Sequence, residues 1–399
     1  MGYRSHMNMI TKKDIFKRYL REYLASGKKR KGEILEIVCD VTGMHRNAAG
    51  RKFRKLQLTS GITLERRGRK TYYTTDATNA LRTIWEAGSE VCGELTYPIV
   101  KEYVAILKRD RMWLHSEEAT RKLLVMSEGT VKRRVGKFME SKIFRKGLGS
   151  TKPSGLKEII PIFTGPWRNK PPGYGQIDTV VHCGPTLVGN MAYSVNYTDI
   201  ALLWVSLAAQ WNKGQHATKE SLARIKKKIP FPLRGMHPDT GSEFINWYLK
   251  EWCDEVGIEL SRSRPYHKDD NGYVEQKNGH VIRRFLEYDR LDAKETIEVI
   301  NRLYDRLEFY LNHFVASRRC LKKVRIGSKY KKVYDKGMTL YQRLMACSVT
   351  KTNITSEIKD KVKTEHETLN PLLLKREVDM LIEEVFKVQR DYDNHDKKS

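Results

Sequence analysis

The chain has 399 residues, enough for two to four domains with cores of their own, and its 75 Lys+Arg against 48 Asp+Glu give a formal charge of +27. Hydrophobic residues make up 40% of it, which excludes a disordered tail, and the charge points to a polyanionic partner. No stretch approaches the roughly 20 apolar residues of a membrane-spanning helix, and the six scattered cysteines, with no CxxC and no zinc-ligand spacing, fit free thiols in a reducing compartment.

Met1–Met7 reads as an appended cloning sequence and not as a signal peptide, because no apolar stretch follows it. Basic residues concentrate early: residues 1–150 carry 33 Lys+Arg and 16 Asp+Glu, a net +17, leaving +10 for the other 249. Ile15, Tyr19, Leu20 and Tyr23 recur at helical spacing within Ile10–Leu24, and the Gly- and Lys-rich run Ser26–Gly32 is expected to end that helix. Glu33–Gly43 and Met44–Leu56 read as helix, glycine turn, helix, with His45, Arg46, Arg51, Arg54 and Lys55 on the solvent face of the second. That is the layout of a helix-turn-helix with a recognition helix, although a helical hairpin with a solvated basic face has the same pattern.

A second copy follows: Ser116–Leu124, a short turn, then Ser127–Phe138, with Ser127 as N-cap and Lys132, Arg133, Arg134 and Lys137 on the helix it starts. Between the copies, Arg67 and Arg69 flank a glycine in Arg66-Arg-Gly-Arg-Lys70, which reads as a solvated basic loop or as an extended arm for a minor groove. The composition of residues 148–157 and the Pro171-Pro-Gly173 punctuation mark a linker.

From Tyr174 the periodicity turns strand-like. Gly175–Cys183, Met191–Thr198 and Ala201–Ala208 make three consecutive strands. A helix (Thr218–Lys228), a strand (Leu233–His237), a helix (Ser242–Val256), a strand (Ile258–Arg262) and two long helices (Tyr273–Tyr288, Ala293–Leu311) follow. This order describes an α/β domain of the ribonuclease H kind, a mixed five-stranded sheet with helices.

Asp178 interrupts the first apolar strand, where an unpaired carboxylate costs several kcal/mol and calls for a cation or a hydrogen-bonding partner. Asp239 follows the fourth strand in His237-Pro-Asp-Thr-Gly-Ser-Glu-Phe244, and Glu275 opens a helix. An oxygen-only ligand set of this type favours Mg²⁺ or Mn²⁺. Asp199 reads as a cap on a strand turn, Glu243 as an acid at a helix N-terminus, Asp269 and Asp270 as solvated loop charges, and His182, His216 and His280 as structural or surface residues.

Beyond Leu311, Arg318–Lys336 is dense in Lys and Arg with alternating Val324, Ile326, Tyr330 and Val333, a small strand-rich unit suited to DNA. Residues 353–390 are helical again. Leu374, Val378, Leu381, Val385 and Val388 recur every three or four residues over two heptads, which reads as a packed amphipathic helix, with self-association through that face as the alternative. The chain therefore divides into helix-turn-helix domains at 8–90 and 91–150, a linker at 151–173, the ribonuclease H-like core at 174–312, a basic C-terminal DNA-binding unit at 313–350 and a helical tail at 351–399.

The strand Asp, the DxGxEF after the fourth strand, and a helix Glu separated from the second Asp by 35 residues resemble the signature of DDE transposases and retroviral-type integrases. Pro232-Leu-Arg-Gly235, Gly241-Ser-Glu-Phe-Ile-Asn246, Ser263-Arg-Pro-Tyr266, Val274-Glu-Gln-Lys-Asn278, Tyr334-Asp335 and Tyr341-Gln-Arg-Leu344 extend the likeness to bacterial insertion-sequence transposases, most of all the group called ISNCY. It spans about residues 10–350 and is most specific over 174–290. Where such relatives carry Asp-Ser-Asp-Asn-Gly, this chain has His237-Pro-Asp-Thr-Gly241, so the triad is intact while His237 and Thr240 replace its neighbours.

The resemblance implies that Asp178, Asp239 and Glu275 are catalytic and hold two Mg²⁺ or Mn²⁺ ions, with Asp178 bridging both. It implies water cleavage at a transposon end to leave a 3′-OH, followed by attack of that 3′-OH on target DNA, with no covalent protein–DNA intermediate. The loop Ser263–Gly272, with Arg264, Tyr266, His267 and Lys268, is expected over the scissile phosphate, with Gly272 permitting its movement. Lys277, Asn278, Arg283 and Arg284 are expected to meet the DNA backbone. The implied partners are double-stranded DNA, as element ends and target, and further copies of the chain in a dimer or larger assembly. The implied location is the bacterial cytoplasm, with the nucleoid. Two other readings share parts of this pattern: a non-catalytic DNA-binding regulator derived from a transposase, and a stand-alone nuclease.

Overall fold

A computed structural model of the chain describes residues 9–59, 72–139, 160–161, 170–238, 243–263, 272–326 and 329–396. Two compact units are present, Met1–Thr71 and Tyr72–Ser399. The first is a three-helix unit, α1 (Met9–Ala25), α2 (Lys28–Thr42) and α3 (Arg46–Thr59), around Phe16, Ile34, Val38, Ala49 and Phe53. The break after α1 is narrower than Ser26–Gly32, because Lys28–Gly32 already belong to α2. Gly43 closes α2 at φ +66, a left-handed conformation that glycine adopts without a Cβ penalty.

The second unit opens with α4 (Thr75–Ala87), α5 (Gly93–Thr96) and a 3₁₀ turn (Tyr97–Ile99), α6 (Val100–Arg109), α7 (Glu117–Leu124) and α8 (Glu128–Met139). Ser116 caps α7 by accepting from Ala119 N at 3.2 Å, and Ser127 accepts from Thr130 N at 3.3 Å at the start of α8. α4 packs on α7 and α8. The buried residues of these helices join one continuous core with those of the central sheet.

That sheet contains β1 (Tyr174–Val181), β2 (Ala192–Asp199), β3 (Val205–Trp211), β4 (Gly235–Pro238) and β5 (Glu259–Leu260), in the order β3-β2-β1-β4-β5. β1 runs antiparallel to β2 and parallel to β4, and β4 is parallel to β5. This is the mixed five-stranded, ribonuclease H-like arrangement that the sequence order predicts. α9 (Gln215–Lys228) and α10 (Trp247–Glu255) cover one face, where Ile177, Val195 and Tyr197 meet Leu222, Ile225 and Leu249. The other face is covered by a helix that runs from 272 to 286, α11 (Gly272–Lys277), a π turn (Asn278–Arg283) and α12 (Arg284–Leu286), and by the long α13 (Thr296–Phe314).

α13 also shields the outer edge of β3. Asn301, Glu308 and Asn312 project from one face of the helix and accept from Ala209 N at 3.0 Å, Leu207 N at 2.5 Å and Val205 N at 3.0 Å. Asn301 and Asn312 return hydrogen bonds to the Ala209 and Val205 carbonyls, and Lys228 closes the set by bonding the Leu207 carbonyl and Glu308. The backbone groups that an edge strand leaves unpaired are thus satisfied within the chain. Asp199 caps the end of β2 as expected, accepting from Leu202 N and Gly173 N at 2.7 Å each.

The chain continues through β6 (Ala316–Ser317), β7 (Cys320–Ile326), β8 (Lys329–Tyr334), β9 (Met338–Thr339), α14 (Leu340–Ala346), α15 (Ser356–Thr368) and α16 (Pro371–Asp396). Leu374, Val378 and Val385 of α16 are buried against α13, and Gln389 accepts from Asp292 N and Ala293 N. The heptad-like face is therefore consumed inside the chain, which overturns self-association through it and leaves the packed amphipathic helix. The six cysteines are free, and no helix among the described residues is long and apolar enough to cross a membrane.

His182 is fully enclosed, with Nε2 2.7 Å from the Ser194 hydroxyl, which in turn bonds Tyr304 of α13. Burial, reinforced by Arg283, lowers its pKa from 6.5 to about 3. Unfolded, His182 takes up a proton near its ordinary pKa; folded, it does not until far lower pH. Its contribution to stability is therefore complete above pH 6.5 and lost as pH falls from there toward 3, by several kcal/mol at about 1.4 kcal/mol per unit. We expect the unfolding midpoint to fall steadily over that window, and His182→Gln to remove about one proton from the slope. An equally steep profile in the variant would refute this assignment.

Candidate active site

β1 carries Gln176 and Asp178 on the face that looks toward α11. Gln176 is buried, and its Oε1 accepts from Tyr273 N at 2.9 Å and Val274 N at 3.2 Å, pinning the first turn of α11 to the strand. Asp178 is partly buried. Its Oδ1 accepts from Thr179 N at 2.8 Å and its Oδ2 from the Asn278 side-chain amide at 2.6 Å. Asn278 is oriented in turn by Asn196, the register partner of Asp178 on β2, which donates to Asn278 Oδ1 at 2.8 Å and accepts from the Thr198 hydroxyl. Glu275 lies on α11 between the two tethers, exposed, and one turn before Asn278, so the two share a helix face. The π turn begins at Asn278; such wide turns concentrate at functional sites because they re-aim side chains within a helix.

Asp239, with Thr240, lies outside the described residues. Its predecessor Pro238 is the parallel register partner of Ile177, the predecessor of Asp178. His237 is buried, with Nδ1 2.9 Å from Ser261 Oγ and Nε2 3.1 Å from Ser263 Oγ, so it braces β4 against the segment after β5. Glu243 is not a helix N-terminal acid: α10 starts later, at Trp247, capped by Asn246. Glu243 is instead buried, 2.7 Å from Lys213 Nζ and accepting from the Thr179 hydroxyl at 3.2 Å. The residue after Asp178 and the motif after Asp239 are thereby fastened together. Among the described residues, no group of three or more His, Cys, Asp and Glu side chains converges as a metal site.

The four residues assigned to the DNA backbone on this helix are all engaged by the protein itself. Lys277 reaches Ser317 Oγ at 3.4 Å, and burial beside Arg343 lowers its ammonium to about 8. Asn278 holds Asp178, Arg283 donates to the Val181 carbonyl at 2.7 Å, and Arg284 lies 3.5 Å from Glu90. On α8, Lys132 pairs with Glu94 and Glu128 and Arg134 bonds the Tyr73 carbonyl, while Arg133 and Lys137 are exposed. On α3, Arg46 pairs with Glu36 at 2.9 Å, and Arg51, Arg54 and Lys55 are exposed opposite Ala49 and Phe53. Arg67, Arg69, Arg264, Tyr266, His267, Lys268, Asp269 and Asp270 lie outside the described residues. His216 packs against Tyr248 and His280 is exposed on the π turn.

The site residues that sequence reasoning passed over are Gln176, Asn196 and Lys213. For Gln176 and Asn196 the one signal was polarity where an apolar residue was due: Ser194, Asn196 and Thr198 alternate along β2 and mark the face beneath α11; Lys213, in the bend after β3, carried none.

No family model matches the chain. Over 333 residues it is 30% identical to the uncharacterized protein y4rM of Sinorhizobium fredii (strain NBRC 101917 / NGR234), an overlap of 82% of this chain and 93% of that protein. The chain belongs to the y4rM family. This y4rM-family protein is also 40% identical over 48 residues to the Pro-Pol polyprotein of Simian foamy virus type 1, 12% of this chain and 4% of that one. Among solved structures it is similar to the catalytic core domain of BIV integrase, with 15% identity and a TM-score of 0.29 over 43% of this chain and 91% of that one. The HTLV-2 integrase catalytic core domain in complex with magnesium gives 17% identity and a TM-score of 0.27 over 38% and 92%.

Proposed function

We propose that the protein is a DDE-type DNA transposase of an insertion sequence, a polynucleotidyl transferase that cleaves element ends and joins them to target DNA. The observation that carries this reading is the parallel pairing of Ile177 with Pro238, each followed in the sequence by an aspartate, beneath a helix that bears Glu275 and is bonded to Asp178 through Asn278. A non-catalytic DNA-binding protein has no use for a carboxylate in this strand, held by two donors and facing a second acid's helix.

The residues fit a hard divalent ion. Asp178 offers carboxylate oxygens from a partly buried position, and Asp239 and Glu275 would add only oxygen, the donor set of Mg²⁺ or Mn²⁺. When bound, two such ions would supply activation of the attacking oxygen and charge neutralisation at the leaving oxygen. The chain's own part is orientation: Gln176 fixes the start of α11, Asn196 and Thr198 set the Asn278 amide, and Asn278 and Thr179 N hold both Asp178 oxygens in one rotamer. Arg51, Arg54 and Lys55 on α3, with Arg133 and Lys137 on α8, are exposed cations on the second helices of two helix pairs, suited to holding duplex ends in helix-turn-helix fashion. Arg67, Arg69, Arg264 and Lys268 belong to the same proposed DNA contacts, and two DNA ends call for a dimer or larger assembly.

The test is incubation of the full chain with labelled element-end DNA and Mg²⁺ or Mn²⁺. End cleavage followed by strand transfer is the expected result, and neither product with either metal overturns the reading. Asn278→Ala is expected to lower the cleavage rate by roughly 10- to 100-fold and to raise the metal concentration needed for half-maximal rate, as loss of a ligand's orienting partner does. A Mg²⁺ titration of the rate checks it; an unchanged midpoint and rate would remove Asn278 from the site.

A further inference from the structure

β7 and β8 form a two-stranded ribbon of their own, outside the central sheet. Of the 17 residues from Arg318 to Tyr334, eight are Lys or Arg and none is Asp or Glu. Lys322, Val324, Arg325, Ile326, Lys331 and Lys332 are all exposed, and among the described residues Lys322, Lys331 and Lys332 make no ion pair. An isolated hairpin is marginally stable in water, and a run of like charge adds repulsion, so folding alone gives no reason for this composition.

The ribbon's base, by contrast, is rigidly held. Asp335 accepts from Arg319 N at 2.6 Å and from Arg343 of α14 at 2.5 Å, and Arg343, 8% exposed, also bonds the Ser317 carbonyl at 2.8 Å. Lys277, two residues after Glu275, reaches the Ser317 hydroxyl. A cationic arm is thus rooted directly beside the candidate catalytic helix.

We propose that the β7–β8 ribbon binds duplex DNA by lying in the major groove next to the active site. Two strands about 4.8 Å apart, with side chains on both faces, match a groove about 12 Å wide, and seven residues reach roughly 20 Å along it. The lysines and arginine meet the phosphates on the two walls, and Val324 and Ile326 meet base edges such as thymine methyls. A-form RNA, whose major groove is deep and narrow, does not admit the ribbon. This deepens the proposed function and rests on it only for the identity of the polyanion.

The test uses the full chain and a linear DNA duplex of random sequence, without metal. Lysine acylation read by mass spectrometry should show Lys322, Lys331 and Lys332 shielded when the duplex is added, and dimethyl sulfate should show guanine N7 protected in the major groove. Substituting Lys322, Arg325, Lys331 and Lys332 together with Ala should abolish the N7 protection assigned to the ribbon and make the logarithmic salt dependence of binding shallower by about 3.6. Unchanged lysine reactivity in the wild type overturns the proposal even if the quadruple variant fails to fold. Equal shielding by duplex RNA, or by an acidic polypeptide and not by DNA, overturns it as well. Shielding in a protein that cuts no DNA would sink the transposase reading and leave the ribbon standing, whereas cleavage with unshielded lysines would do the reverse.

Discussion

Asp178→Asn is expected to abolish end cleavage and strand transfer while leaving the protein folded and able to bind DNA. Both carboxylate oxygens accept from fixed donors, Thr179 N and the Asn278 amide. An asparagine there can satisfy one of them in either rotamer and must set its own NH₂ against the other. The mismatch costs about 1–3 kcal/mol of stability at most, the range for an unsatisfied polar group, so the melting temperature should move by a few degrees. Chemistry should suffer far more, because the negative charge that would share a divalent ion with Asp239 and Glu275 is gone. At 1.36 kcal/mol per factor of ten, losing several kcal/mol of charge stabilisation corresponds to at least about a thousandfold in rate. Labelled-end cleavage assays on wild type and variant, matched for DNA binding, measure it, and an Asn variant as active as wild type would falsify the catalytic assignment.

Gly173→Ala should be among the most damaging single methyls in the second unit. Gly173 sits at φ +100, and a Cβ there would stand 2.3 Å from the Pro232 carbonyl oxygen. The backbone cannot retreat: its N–H bonds the Asp199 carboxylate, and its carbonyl accepts from both Arg234 N and Gly235 N. Left-handed strain of about 1–2 kcal/mol and overpacking of about 1–3 kcal/mol combine to roughly 3 kcal/mol or more. The same junction starts the β1–β4 pairing, so the surviving folded fraction should also lose activity. Denaturant titration gives the stability change; a loss under about 1 kcal/mol would show that the strand end can shift, contrary to this account.

Much of the core was legible because strands and helices carry different periods. Asp178 stood out in an apolar run, and the order of strands and helices from Gly175 to Leu311 sufficed to give the five-stranded sheet. Boundaries moved where partners beyond the local sequence decide them. Ala201–Leu203 are apolar but form the turn into β3, which starts at Val205, where Asn312 supplies the first edge partner. The expected helix at Ser242 begins only at Trp247, because Glu243 is drawn into the Lys213 pair and Asn246 provides the cap. The partners of Lys277, Arg283 and Arg284 within the chain were not legible from charge: periodicity gives a helix face, but which neighbour waits on that face is a matter of tertiary contact. The bond from Asn278 to Asp178, 100 residues upstream, could not be seen in the local pattern either.

The covering of β3 by Asn301, Glu308 and Asn312 bears on how copies of this protein would gather in the proposed assembly on two DNA ends. A sheet whose terminal strand keeps its peptide groups free can grow across a subunit boundary by adding a neighbour's strand, continuing the ladder from one molecule into the next. Here that route is closed on the β3 side by the chain's own helix. Any assembly at this flank must be built from side-chain surfaces or bridged by the nucleic acid, and opening the flank by Glu308→Ala and Asn312→Ala would create a sticky seam that promotes aggregation and not ordered pairing.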